Sequence, residues 1–312
     1  MTPSPGSLEA RLRGVLAERY HDRHPFHVRM HEGRLSPGEL RSWVRNRYYY
    51  QTRIPIKDGH ILAKAEDPAF RRAWVERLHD HDGSRDEVGG LELWLRLADA
   101  VGLDRDEVRS LRFVLPGVRA ACDDYVRFVE SHDLLASVAA SLTELAAGGI
   151  MHERIAAFER HYPWVEAEGL RYFRTRTTTA PRDGGFGLAF VLEHARTPED
   201  QERCLEALRR KCEILWRLLD AVEAAHRRPR LAPHALLRSD PGDGRKLVVL
   251  PERAVRTSES GDEILALCDG VRSREAIVAE LAARHEEVER LPGDVHEFLE
   301  QMERLGVLES AP

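Results

Sequence analysis

From about Leu8 to Ala225, apolar side chains recur at three- and four-residue intervals in one segment after another, the pattern of helices that bury one stripe. In LRSWVRNRYYY the stripe selects Leu40, Trp43, Arg47 and Tyr50 and leaves Tyr48 and Tyr49 to the sides. Further helices are predicted over PAFRRAWVERLHDHDG, GGLELWLRLADAVG, VRAACDDYVRFVESH, LLASVAASLTELAAGG and PEDQERCLEALRRKCEILWRLLDAVEAAH. Several stop at Gly or just before a Pro-bearing turn. Strand-like alternation is nearly absent, so residues 1–226 predict an all-α bundle.

After His226 the pattern changes. RRPRLAPHALLRSDPGDGRKLVVLPERAVRTS carries four prolines, a PGDG turn signal and the β-rich run KLVVL, which together predict a small strand pair. Helices return in SGDEILALCDG, with Ser260 as its cap and an end near Gly270, in SREAIVAELAARH and in PGDVHEFLEQMERLGVLE. Residues 229–312 therefore predict a small α+β, winged-helix-like domain behind a short linker. The fold class expected for the whole chain is mainly α.

Composition narrows the picture modestly. The 312 residues are 42% hydrophobic and 32% charged with a formal net charge of -6, ordinary values that give no bulk attraction to nucleic acid. The start, MTPSPGSLEARL, lacks a basic region followed by an apolar run, and no run of about eighteen apolar residues stands out, so neither a secretion signal nor a membrane span is expected. Cys122, Cys204, Cys212 and Cys268 are scattered without a CxxC pair, which suits a reduced, cytoplasmic protein.

The candidate chemistry starts at NRYYYQTRIPIKDG. On a helix Arg47, Tyr50, Gln51 and Ile54 share one face, and burying a guanidinium, a phenol and a carboxamide there requires partners for each. An internal network, a tyrosine-rich dimer surface and a bound polar ligand all supply them. Pro55 is expected to kink the helix nearby. His21, His24, His27 and His31 have a spacing that invites a metal, but Pro25 breaks the local helix and no repeated Glu-x-x-His pair appears, so no metal site is assigned. Arg77 and His81 lie four apart, as do Tyr172 and Arg176, and His81 is the best acid–base candidate by type. Arg154 and Lys211 add cations. Singly each reads as a solvated charge; together they outline a pocket for a compact organic anion with several carboxylates.

These residues carry a resemblance. YHDRHPFHVRMHEG, NRYYYQTRIPIKDG, RLHDHDGS, GGLELWLRLADAVGL, VLPGVR, SLTEL, HYPW and the KCEILWRLLDA run resemble, in order over residues 15 to 225, the pyrroloquinoline-quinone synthase family. The tail from about Arg228 to Leu308, chiefly KLVVLPERAVRTSESGDEILALCDG, resembles the small peptide-binding chaperone of the same pathway. The chain thus looks like a fusion of the two.

The resemblance implies a haem-oxygenase-like helical bundle, usually a homodimer, with no bound cofactor or metal. Its reaction closes a ring in a tricarboxylated quinone precursor and oxidises it with O2, giving pyrroloquinoline quinone and hydrogen peroxide. The family's pocket residues match Tyr20, His21, Arg47, Tyr50, Gln51, Arg77, His81, Tyr125, Thr143, Glu144, Arg154, Tyr172, Arg176 and Lys211. Where the family has a histidine three residues before Arg154, this chain has Met151, with His152 one place later as its possible replacement.

The roles implied are carboxylate binding by Arg47, Arg77, Arg154 and Lys211, orientation of quinone oxygens by Tyr50 and Gln51, proton transfer by His81, and stabilisation of reduced oxygen by Tyr172 and Arg176. The tail is expected to bind the precursor peptide by strand addition, and with it the pathway's radical-SAM enzyme, rather than DNA, because SREAIVAELAARHEEVE mixes acids through its helix. The same scaffold leaves open a metal-dependent oxidase, a thiaminase-type hydrolase, and a carrier that only binds the finished cofactor.

Overall fold

The computed structural model describes residues 4, 6–240, 246–285, 288 and 290–311. The chain forms two compact units, one from Met1–Leu111 and Gly117–Asp220 and the other from Arg112–Pro116 and Ala221–Pro312.

The first unit is helical. Its elements are α1 (Leu8–Arg19), α2 (Pro25–His31), α3 (Pro37–Lys64), α4 (Pro68–Asp82), α5 (Gly90–Ala100), α6 (Arg105–Ser110), α7 (Pro116–Ser131), α8 (Leu134–Ala140), α9 (Glu144–His161), α10 (Arg171–His194) and α11 (Pro198–Ala225). Short polar side chains start most of them. Ser36 and Glu39 form a reciprocal capping box before Pro37, and Asp67 caps α4 through the Ala69 and Phe70 amides.

α3 runs unbroken through Pro55 and packs against α4, α5 and α8. Being covered on several sides, it buries Tyr48 and Tyr49 as well as Leu40, Trp43 and Tyr50 of the predicted stripe, whereas Arg47 is only partly buried. Tyr49 Oη donates to Asp123 Oδ1 at 2.7 Å. α9 and α10 lie along each other, so closely at Gly184 that an added Cβ would sit 2.9 Å from the Leu145 amide nitrogen.

One predicted helix is divided. The run LLASVAASLTELAAGG is interrupted by a 3-10 turn at Ser141–Thr143, where Lys57 Nζ donates to the Ser141 hydroxyl at 3.1 Å, and α geometry resumes at Glu144. Taken together, Leu134–His161 is long and apolar enough by length and composition to cross a membrane, but 67% of its apolar window is buried within the fold. It is packed as a core element.

The second unit holds β1 (Arg228–Leu231), β2 (Leu236–Ser239), β3 (Lys246–Leu250), β4 (Arg253–Arg256), α12 (Glu259–Ala266), α13 (Arg274–Arg284), α14 (Leu291–Arg304) and β5 (Leu308–Ala311). Instead of one strand pair, the described residues form two small antiparallel sheets, β2-β3-β4 and β1-β5. Val248 stands opposite Leu237 on one side and Val255 on the other, and it joins Ile277, Leu281, Leu299 and Val307 in the core. The PGDG signal lies outside the described residues. Ser258, not Ser260, caps α12: its backbone is extended and its hydroxyl accepts from the Gly261 amide at 3.1 Å, and the helix ends at Ala266.

Candidate active site

Five helices and two irregular segments of the first unit close around a cavity of about 40 Å³, room for a few water molecules. α3 contributes Arg47, Tyr50, Gln51 and Ile54, which is the shared face expected from their spacing. The turn between α1 and α2 brings Tyr20 and His21, α4 brings His81, and α10 brings Tyr172 and Arg176. The break before α9 presents Thr143 and Glu144 where a continuous helix would have rotated them elsewhere. Ala147 and Met151 of α9 and Leu215 of α11 complete the lining.

His81 sits at the end of α4, where the chain turns through Gly83 at φ +90°. An added Cβ at Gly89 would fall 2.2 Å from the Gly83 amide nitrogen and 2.5 Å from the His81 carbonyl, so only glycine allows this turn to close. The Arg77 carbonyl, which can only accept, lies 3.0 Å from His81 Nδ1 and therefore fixes the proton there. Burial and then the Arg176 charge lower the imidazole to about 4, so at neutral pH Nε2 is a bare acceptor.

The charges near the cavity divide into two sets. In the first, three buried cations meet three carboxylates, one of which, Asp183, is also reached by the half-exposed Arg182 at 2.8 Å. Lys57 Nζ lies 2.6 Å from Asp58 Oδ1, and Arg77 lies 3.4 Å from Asp58, 3.3 Å from Glu144 and 3.0 Å from Asp183. Arg176 pairs with Glu144 and lies 3.5 Å from Asp183. Burial alone would raise the Glu144 carboxyl, but Arg176, Arg77 and Lys57 overcome it and hold it near 2. Burial brings Lys57 down to about 8 against the pull of Asp58.

The second set has no carboxylate within ion-pairing distance among the described residues. Arg47 lies 3.9 Å over the Tyr50 ring, and its buried Nη1 has no hydrogen-bond partner. Arg154 stands between the Trp43 and Phe173 rings at 5.2 and 5.4 Å. Its polar neighbours are weak acceptors, His27 Nε2 at 3.5 Å and Met151 Sδ at 3.9 Å, and its Nε has none. Burial and then Arg47 lower it to about 10. Lys211 Nζ donates to Tyr50 Oη at 2.8 Å and lies 3.4 Å over the Tyr125 ring. Burial, Arg47 and Lys57 push its pKa well down.

The four clustered histidines have separate tasks. His24 Nδ1 accepts from the Phe26 amide at the start of α2, so Pro25 begins a helix rather than breaking one, and Nε2 faces Asp220 at 3.1 Å. His27 Nδ1 donates to the His21 carbonyl at 3.0 Å, leaving Nε2 to accept from Arg154. His31 is 3.8 Å from Glu153. No group of three or more His, Cys, Asp or Glu side chains among the described residues is arranged to hold a metal ion.

Two expectations change. His152 is exposed, because one residue moves a side chain about 100° round α9 and the helix keeps its register; Met151 faces the cavity instead. Arg77, read from the sequence as a free cation for a substrate carboxylate, is buried and ion-paired with three of the protein's own carboxylates. Tyr125, Arg154 and Lys211 stand behind the lining residues rather than on the surface of the cavity. Lys57, Asp58, Asp183 and His27 were not anticipated. The first two were within reach, since they follow Tyr50 and Gln51 by seven positions and extend the same helix face.

Residues 9–221 match the TENA/THI-4/PQQC family, and residues 246–308 match Coenzyme PQQ synthesis protein D (PqqD). A pyrroloquinoline-quinone synthase of Gluconobacter oxydans is 47% identical over 234 residues, spanning 75% of this chain and 98% of that protein. One from Rhizobium meliloti is 48% identical over 254 residues, spanning 81% and 97%. Among solved structures, a domain of unknown function with a haem oxygenase-like fold from Shewanella denitrificans superposes with a TM-score of 0.55 at 14% identity, covering 69% of this chain and 88% of that one, a likeness of fold alone. With a match through residues 9–221 and relatives near half identical over almost their whole length, this chain belongs to the TENA/THI-4/PQQC family, followed by a PqqD segment.

Proposed function

We propose that the first unit is a pyrroloquinoline-quinone synthase that closes and oxidises a tricarboxylated quinone precursor with O2, releasing hydrogen peroxide. The observation that carries this reading is the second set of charges: Arg47, Arg154 and Lys211 lie at or behind one cavity without carboxylate partners among the described residues. Three unpaired cations suit three carboxylates, and charge-assisted bonds to them would fix the ring in one orientation.

The reduced ring supplies the electrons and O2 accepts them, so the side chains are left with positioning and proton transfer. His81 Nε2, neutral and unprotonated, takes a proton from the ring. Tyr172, which donates to Gln51 Oε1 at 3.0 Å, and Arg176 would stabilise charge developing on reduced oxygen. At about 40 Å³ the cavity admits O2 or water but not the organic acid, so the wall moves when the acid binds.

For the second unit the proposal is capture of the precursor peptide and its radical-SAM enzyme. β2 and β4 are the open edges of a three-stranded sheet, where an extended peptide can add as a further strand. On α13 Glu275 and Glu280 offset Arg274 and Arg284, so the helix lacks the net positive charge that a phosphate backbone attracts. A homodimer in the cytoplasm is part of the same reading, and the four free, buried cysteines suit a reducing compartment.

The test is anaerobic mixing of the purified, chelator-treated chain with the quinone precursor, followed by admission of O2. An oxygen-triggered absorbance change with stoichiometric peroxide is expected. Binding without that change would make the protein a carrier, and activity lost to the chelator would make it a metal-dependent oxidase.

A further inference from the structure

Next to the cavity lies a buried pair that the proposed chemistry does not use, Lys57 and Asp58, 1% and 0% exposed. One carboxylate oxygen, Asp58 Oδ1, gathers three donors: Lys57 Nζ at 2.6 Å, Trp74 Nε1 at 2.8 Å and Arg77 Nε at 3.4 Å. The other oxygen, Oδ2, is buried with no hydrogen-bond partner. Donors drawn to a single oxygen set the direction of a planar guanidinium, and Arg77 is further held 4.9 Å over the Trp74 ring. So oriented, its fork meets Glu144 and Asp183, the two carboxylates that also hold Arg176.

We propose that Asp58 is a positioning residue, which locks Arg77 against Glu144 and Asp183 and thereby fixes Arg176 and Glu144 at the cavity wall. Lys57 completes a set of three buried cations against three carboxylates, while the half-exposed Arg182 pairs with both Asp183 and Asp80 at its edge. This rests on the cavity being the substrate site, although none of the contacts involved requires substrate. A neutral side chain at position 58 leaves three buried cations facing two carboxylates. Arg77 is then drawn toward Glu144, and Arg176 loses part of its hold. Displacing a reacting group by about 1 Å from outside the site lowers turnover by about 100-fold.

The test compares the full chain with Asp58→Asn and with the charge-balanced pair Lys57→Met/Asp58→Asn. Exchange of the Arg176 guanidinium protons, assigned with Arg176→Lys, is followed by NMR on 15N-arginine-labelled protein, alongside kcat and KM for the quinone precursor. In both variants Arg176 exchange is expected to speed at least about tenfold and kcat to fall about 10- to 100-fold, with KM within about threefold. The double variant keeps the parent's net charge, so it remains folded if the single one does not. Parent-like exchange at Arg176 together with parent-like kcat in the double variant would overturn the proposal. Should the parent itself show no turnover, the functional reading fails, and the Arg176 exchange still decides the role of Asp58.

Discussion

Arg154 is buried, cationic and without a carboxylate, so replacing it should move stability and binding in opposite directions. Its pKa falls on folding from the ordinary guanidinium value to about 10, which disfavours the charged form by about 3 kcal/mol, since each pH unit corresponds to about 1.4 kcal/mol. For a cation with a lowered pKa this penalty is fully present below the folded value and so applies at neutral pH. Arg154→Met removes it but also loses the two ring contacts, at about 0.5 to 1 kcal/mol each. A net gain of about 1 to 2 kcal/mol remains, or roughly 2 to 8 °C in Tm for a unit of this size.

Binding of a tricarboxylate should weaken, because a hydrogen bond to a charged group contributes about 1.5 to 3 kcal/mol, a factor of about 10 to 100. Thermal unfolding without ligand and calorimetric titration with pyrroloquinoline quinone read the two effects separately. A variant that melts below the parent and binds as tightly would refute the reasoning.

Three further outcomes are expected. His81 is neutral when folded and titrates near 6.5 when unfolded, so the unfolded chain binds more protons between pH 6.5 and 4, and stability falls through that window by about 2 kcal/mol at pH 5; urea midpoints at pH 7 and 5 check this, and equal midpoints would contradict it. His81→Gln should lower kcat by about 10²- to 10⁴-fold while leaving product affinity within about threefold, as stopped-flow and equilibrium titration would show. Gly89→Ala drives a methyl into backbone at Gly83 and His81 that has no slack; a loss of about 1 to 3 kcal/mol in denaturant unfolding is expected, and an unchanged midpoint would mean the turn is softer than its contacts indicate.

The helical architecture of the first unit and one wall of its cavity were legible because both depend on periodicity. Arg47, Tyr50, Gln51 and Ile54 share a face by spacing alone, and they line the cavity together. Tyr20, His21, Thr143 and Glu144 have no such local signature; the family resemblance pointed to them, and a turn and a helix break put them in place. What could not be read was pairing across the chain. Arg77 looks like a free cation beside His81, yet its partners Asp58, Glu144 and Asp183 arrive from three other helices. The choice of Ser258 over Ser260 as a cap was similarly hidden, since both are suitable residues two positions apart and composition alone does not fix where the helix starts.

The small volume of the cavity has a kinetic consequence. Because about 40 Å³ is far below the roughly 300 Å³ of ordinary small-molecule pockets, capture of a fused-ring acid must wait for the wall to part. The observed association rate should therefore level off with rising concentration at the frequency of opening instead of climbing toward the diffusion limit. The same motion governs departure, so a finished quinone would dwell inside until the wall parts again.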